Sequence, residues 1–263
     1  MTAIPDVPKV SAPLPGGGEM PLLGLGTWQI TGGQATGATG WALEAGYRHL
    51  DTATVYGNEA EVGAGLAGSG VPRPEVFITT KCPPGNAGRE LTTLQRSLEL
   101  LGTDHVDLWL IHWTPEKGVG VGLWQGFIDA RSSGLARAIG VSNYSLAEID
   151  ELVSATGVTP AVNQIEWSPL LFDRAQMEGH RERGILLEGY SALRGGTLEH
   201  PVITAIADRL GRTPAQVIIR WHLEHGVVVI PKSVVRERIF ANADVGGFEL
   251  TIDDTAAMDA LGT

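Results

Sequence analysis

Along the chain, apolar and β-branched runs alternate with segments of helical period. The runs are "LLGLGTW" (22–28), "RHLDT" (48–52), "EVFITTK" (75–81), "VDLWLIHW" (106–113), "ARAIGVSN" (136–143), "AVNQIEW" (161–167), "ILLEGYS" (185–191) and "VVVIPKS" (227–233). They are nearly continuous rather than alternating, the pattern of parallel strands buried on both faces. In "GRELTTLQRSLELLG", Leu91, Leu94, Leu98 and Leu101 fall on one helix face, and Gly102 is placed to stop the helix. "SLAE" (145–148) is a capping box with Ser145 as N-cap and Glu148 three residues on. "TPAQ" (213–216) repeats it with Pro214 at the first helical position, and Gly226 ends that helix.

Eight strands alternating with helices predict a (β/α)8 TIM barrel, with a doubly wound open sheet as the alternative. "LPGGGEMP" (14–21) predicts a short N-terminal hairpin ahead of the first barrel strand, and a helical pair is expected over 200–225. No linker, low-complexity block or composition break interrupts the pattern, so residues 1–263 are expected to form a single domain.

The net charge of −11 argues against a general nucleic-acid or anionic-membrane surface, which needs a basic patch. The one cysteine, Cys82, forbids an intrachain disulfide. "MTAIPDVPKVSAPLPGGG" carries no secretory apolar core, so the cytoplasm is the expected compartment. No apolar run reaches about 18 residues, so no membrane-spanning helix is expected.

In barrels of this kind the chemistry lies at the C-terminal ends of the strands. There the sequence puts Asp51 after strand two, Tyr56 in the following loop, Lys81 at the end of strand three and His112 at the end of strand four. Taken singly, each has an ordinary structural explanation: a turn cap, a loop aromatic, a surface lysine, a core histidine. Their convergence on one rim favours a shared role. A phenol normally ionises near pH ~10, and a buried ammonium beside it lowers that value. Asp51 would hold Lys81, Lys81 would tune Tyr56, and His112 would orient a substrate oxygen. The set would act as a general acid for an oxyanion at neutral pH.

With "LGLGTW", "HLDTATVYGNE", "TTK", "LIHW" and "IPKSVVRERIFAN" in place, the chain resembles the aldo-keto reductases over nearly its whole length, in the compact form of the bacterial members. The resemblance implies a catalytic tetrad of Asp51, Tyr56, Lys81 and His112, with Tyr56 as proton donor, and a bound NADPH. It implies Ser142, Asn143 and Gln164 against the nicotinamide amide, Tyr190 stacked on its ring, and Thr27 at the cofactor side of the rim. Lys232, Ser233 and Arg238 would grip the 2′-phosphate, with Asn242 on the adenine side; two cations and a hydroxyl suit a phosphomonoester. Trp28 and Trp113 would line the substrate side. The implied activity is NADPH-dependent reduction of small aldehydes and ketones by a monomer; the alternative is an NADPH-sensing binding subunit without catalysis.

Three positions depart from the family pattern. Ala241 precedes Asn242 where Glu is frequent, and Ala192 replaces a proline after Tyr190. The chain also stops at Thr263, from which a more open, less selective pocket is expected. Other signals are discounted. "GAGLAG" (63–68) matches a dinucleotide fingerprint but sits inside a helical stretch, where it reads as a small-residue helix packed on the barrel. His222 and His225 lack a third ligand, so no metal is expected. Cys82 is read as structural, and Trp124 and Trp167 as core.

Overall fold

Each apolar run becomes a strand because both its faces are covered, by barrel interior on one side and by helices on the other. The structure, a computed structural model, describes residues 5–15 and 18–262. The chain opens with an antiparallel hairpin of β1 (Ser11–Pro13) and β2 (Glu19–Pro21), which buries Met20. Its expected tip at Gly16 and Gly17 lies outside the described residues, as does Thr263.

The barrel strands are β3 (Leu25–Gly26), β4 (His49–Asp51), β5 (Phe77–Cys82), β6 (Val106–Ile111), β7 (Ala136–Ser142), β8 (Val162–Glu166), β9 (Leu186–Tyr190) and β10 (Val228–Val229). They pair in parallel and in sequence order. A bridge between Leu23 and Val229 joins the two edges, with the Gly24 N–H donating to the Val229 carbonyl (2.9 Å) and the Val229 N–H to the Leu22 carbonyl (2.8 Å). Closure excludes the open sheet. The backbones run close at this seam: a Cβ on Gly26 would lie 2.6 Å from the Ile230 carbonyl oxygen, so "LGLG" is a packing requirement.

The helices are α1 (Gly33–Glu44), α2 (Glu59–Ser69), α3 (Glu90–Leu101), α4 (Val121–Ser132), α5 (Leu146–Thr156), α6 (Arg174–Glu182), α7 (Pro201–Leu210), α8 (Pro214–Glu224), α9 (Arg236–Ala243) and α10 (Ile252–Asp259). Both expected capping boxes form, at Ser145–Glu148 and Thr213–Gln216, and Gly102 closes α3 in the left-handed conformation. One expectation in α3 fails. Leu94, Leu98 and Leu101 are buried, but Leu91 is 40% exposed. The buried arc also takes in Thr93 and Ser97, which leaves Leu91 in the first turn at its margin.

The glycines of α2 serve its neighbours rather than the barrel wall. A Cβ on Gly63 would stand 2.6 Å from the Leu101 carbonyl at the end of α3, and one on Gly65 would stand 2.7 Å from the Thr36 carbonyl of α1. No helix among the described residues is long and apolar enough to cross a membrane.

Candidate active site

The strand ends deliver the expected side chains to one place. Asp51 ends β4, Lys81 is the penultimate residue of β5, and His112 follows β6 directly. Tyr56 closes a single turn of 3-10 helix (Thr54–Tyr56) after β4. That turn is pinned to β5, since the Thr54 hydroxyl donates to the Lys81 carbonyl at 2.7 Å.

Lys81 is fully buried, and its Nζ donates to Asp51 Oδ1 at 2.6 Å and to the Thr52 carbonyl at 2.9 Å. The same Nζ lies 5.2 Å from the centre of the Tyr56 ring. His112 meets that ring edge-on at a centroid distance of 5.6 Å, and it also stacks with Trp113 at a centroid distance of 6.0 Å. His112 Nδ1 is buried with no hydrogen-bond partner among the described residues. Three of the four groups are thus buried and the fourth is packed on two of them, an arrangement that surface chance does not produce.

Burial governs the protonation of this cluster. It pulls the Lys81 ammonium down, but Asp51, Tyr56 and Glu188 more than compensate and hold it at about 12. It pushes the Asp51 carboxyl above its usual range, against Lys81 and Gln164. Burial and the Lys81 charge together push His112 down to about 3, so it is a neutral imidazole in ordinary solution. Tyr56 departs from expectation. Burial raises it above an ordinary phenol, and the Lys81 ammonium opposes that rise without cancelling it. A net lowering is therefore not found; the phenol keeps its proton at neutral pH.

The rim beyond the tetrad is polar and interlocked. The Thr27 hydroxyl donates to the Asp51 carbonyl at 2.9 Å. The Ser142 hydroxyl donates to the Gln164 carbonyl at 2.8 Å. Asn143 holds a left-handed backbone (φ 62°), and its side-chain oxygen accepts from the Tyr190 hydroxyl at 2.8 Å. The Asn143 Nδ2 donates to the Ser142 hydroxyl at 3.0 Å. Gln164 turns inward: its Nε2 donates to Asp51 Oδ2 at 2.8 Å, so this amide supports the tetrad directly.

Trp28 and Trp113 stand about half exposed at the mouth (45% and 51%), while Trp124 and Trp167 are core. The Arg194 guanidinium, in the loop after β9, lies over the Trp28 ring at 5.3 Å. Ala192 is buried in the same loop. After β10, Lys232 is exposed, Ser233 is buried with its hydroxyl accepting from the Val235 N–H (3.1 Å), and Arg238 is exposed in the first turn of α9. Neither Lys232 nor Arg238 has a carboxylate within ion-pair distance among the described residues. Asn242 is buried and Ala241 partly so.

The discounted signals stay outside this site. His222 Nδ1 is 2.8 Å from the Ile218 carbonyl, and His225 pairs with Asp259 at 2.8 Å. Among the described residues no group of three His, Cys, Asp or Glu side chains could hold a metal ion. Cys82 is buried, and burial with the nearby Glu90 pushes its thiol up to about 12 despite its place next to Lys81.

Several contributors escaped the sequence reading. Asn58 accepts from the Thr52 hydroxyl (2.8 Å) and donates to the Thr27 and Ile30 carbonyls (2.8 Å each), tying the β3 and β4 loops together. Glu59 is buried and accepts from Thr80 (2.5 Å) and Ser97 (3.2 Å). His49 and Glu188 lie fully buried inside the barrel. The available signal was an ionisable residue in the middle of a strand-forming run, His49 in "RHLDT" and Glu188 in "ILLEGYS".

Comparison with known proteins adds an independent line. The pattern of the Aldo/keto reductase family matches residues 22–263. A protein named aldo-keto reductase from Mycolicibacterium vanbaalenii is 46% identical, over 99% of this chain and 94% of its own length. The crystal structure of an aldo/keto reductase from Brucella melitensis superposes with a TM-score of 0.92 at 41% identity, covering 97% of this chain and 99% of that one. A Bombyx mori aldo-keto reductase, solved in complex with NADP, gives a TM-score of 0.90 at 34% identity, covering 97% and 94%.

Proposed function

The chain belongs to the aldo-keto reductase family of NADP(H)-dependent oxidoreductases, and from this premise we propose that it is a single-barrel enzyme reducing small aldehydes and ketones to alcohols, with Tyr56 as general acid. The observation that carries the reading is the buried Lys81 ammonium, 2.6 Å from Asp51 and beside the Tyr56 ring.

The residues present fit the cofactor. Ser142, Asn143 and Tyr190 form a polar edge with donors and acceptors suited to an amide and a flat ring. Gln164 supplies that edge only with the part of its amide not given to Asp51. Lys232, Ser233 and Arg238 bring two exposed cations and a hydroxyl to one segment, the donor set a phosphate takes. When bound, NADPH supplies the hydride.

The chain's own groups handle the proton. Hydride arrival at a carbonyl carbon leaves negative charge on its oxygen. Tyr56, held protonated by burial, gives that oxygen its proton. The fixed Lys81 ammonium stabilises the phenolate left behind, and Asp51 and Gln164 keep Lys81 in place. His112, neutral, offers a ring N–H to the substrate oxygen and sets its position. The exposed indoles of Trp28 and Trp113 support an open site that accepts varied small carbonyls.

The deciding experiment follows NADPH oxidation with a panel of aldehydes, ketones and diketones, and alcohol oxidation with NADP+. Turnover of several small carbonyls is the expected result. Tight NADPH binding without turnover of any of them would point instead to a cofactor-sensing subunit.

A further inference from the structure

Glu188 sits in the middle of β9 and is fully buried, yet neither carboxyl oxygen has a hydrogen-bond partner among the described residues. A lone buried carboxylate is costly, so the position calls for a reason. In-register pairing places Glu188 beside Gln164, whose amide holds Asp51 from across the barrel. On its other side it pairs with Val228, which is apolar. The His222 ring packs against Gly189, the next residue along, whose side of the strand is opposite to that of Glu188.

The ionisable groups facing Glu188 are therefore those of the tetrad end. They are His49 and Asp51 on β4, Lys81 on β5 and Tyr56 in the loop after β4. His49 Nε2 is 3.9 Å away, but burial and Lys81 push that imidazole down to about 3, so it brings no positive charge. Among the described residues, Asp51 and Glu188 are thus two inward carboxyls facing one ammonium, Lys81.

We propose that Glu188 is a positioning residue for the proton at Tyr56: a second inward carboxyl that shares the Lys81 ammonium with Asp51 and, once ionised, keeps the proton on Tyr56 to higher pH, where carbonyl reduction still needs it. The inference rests on the assignment of Tyr56 as general acid. Reduction consumes the phenolic proton; alcohol oxidation needs the phenolate to take a proton from the alcohol oxygen. A second carboxylate near Tyr56 disfavours the phenolate, so it makes Tyr56 a weaker acid and moves to higher pH both the loss of reduction and the onset of oxidation. Burial and the neighbouring Asp51 hold the Glu188 carboxyl up at about 8, so its charge emerges in mild alkali, where oxidation would otherwise gain.

The test compares wild type with Glu188→Gln, which keeps shape and removes the titration, and with Glu188→Met, should the first fail to fold. Turnover with NADPH and an aldehyde, and with NADP+ and an alcohol, is measured from about pH 6 to about pH 11. The onset of oxidation and the loss of reduction should both move to lower pH by about half a unit or more in each variant, with KM for the aldehyde little changed. Thermal stability gives a readout free of activity. A carboxyl raised from 4.5 to about 8 in the folded state binds more protons folded than unfolded across that window. Wild-type stability therefore falls as pH rises through it, and the variants should lose that part of the slope. Folded variants with wild-type pH profiles and wild-type stability slopes would overturn the inference alone. A wild type that turns over no carbonyl would overturn the functional reading and, with it, the positioning role of Glu188.

Discussion

Two cationic regions of this barrel are built in opposite ways. Lys81 is buried among strands and held by Asp51 and the Thr52 carbonyl. Lys232 and Arg238 stand exposed after β10, away from any carboxylate partner among the described residues. The first charge is fixed by the same contacts that fold the barrel, so its geometry exists before any ligand arrives. The second stands in solvent, and in the phosphate role proposed for it would act chiefly through its sign. The contrast separates what should govern turnover from what should govern cofactor choice.

The largest test of that contrast removes the buried charge. Lys81→Met should abolish measurable turnover and strand Asp51 without its cation, costing about 3–5 kcal/mol of stability. Denaturant unfolding and single-turnover assays check both. Tyr56→Phe comes next, since it deletes only the proton donor: turnover should fall about 10²–10⁴-fold while NADPH affinity stays near wild type. Near-normal aldehyde reduction by this variant would end the proposed mechanism.

The exposed pair should behave differently. Lys232→Ala with Arg238→Ala should leave folding and maximal turnover close to wild type but weaken NADPH binding by roughly tenfold or more per lost contact. NADH binding should barely change, and fluorescence titration with the two cofactors separates the outcomes; equal losses would refute the phosphate assignment. The smallest effect is expected at the mouth. Trp28→Ala should reorder the substrate ranking by about 1 kcal/mol while leaving cofactor affinity in place. It also removes the ring under Arg194.

Much of this was legible in the chain because burial writes itself as pattern. Continuous apolar runs marked every barrel strand, and the capping boxes at Ser145 and Thr213 carried their own start signals. The meeting of Asp51, Tyr56, Lys81 and His112 was legible because strand ends in a barrel share one rim. What was not legible depends on distances across the barrel. No spacing in sequence tells that Gln164 reaches Asp51, 113 positions away, rather than facing outward. Nor does it tell whether burial or the Lys81 charge wins at Tyr56, because the two act in opposite directions. Leu91 was misplaced for a related reason, since helical period gives a face but not how wide the neighbour's coverage is.

The state of Cys82 has a bearing on the durability of the protein. Reactive aldehydes attack thiolates, and catalysts that process them are exposed to alkylation by their own substrates. The chain's one cysteine is enclosed at the end of β5, next to Lys81, and with its thiol at about 12 it is almost wholly in the un-ionised, poorly nucleophilic form. An electrophile that reaches the active site thus meets no free sulfur anion there. Thiol titration should find Cys82 silent in the native protein and reactive only after unfolding, and prolonged incubation with a reactive aldehyde should leave that thiol unmodified.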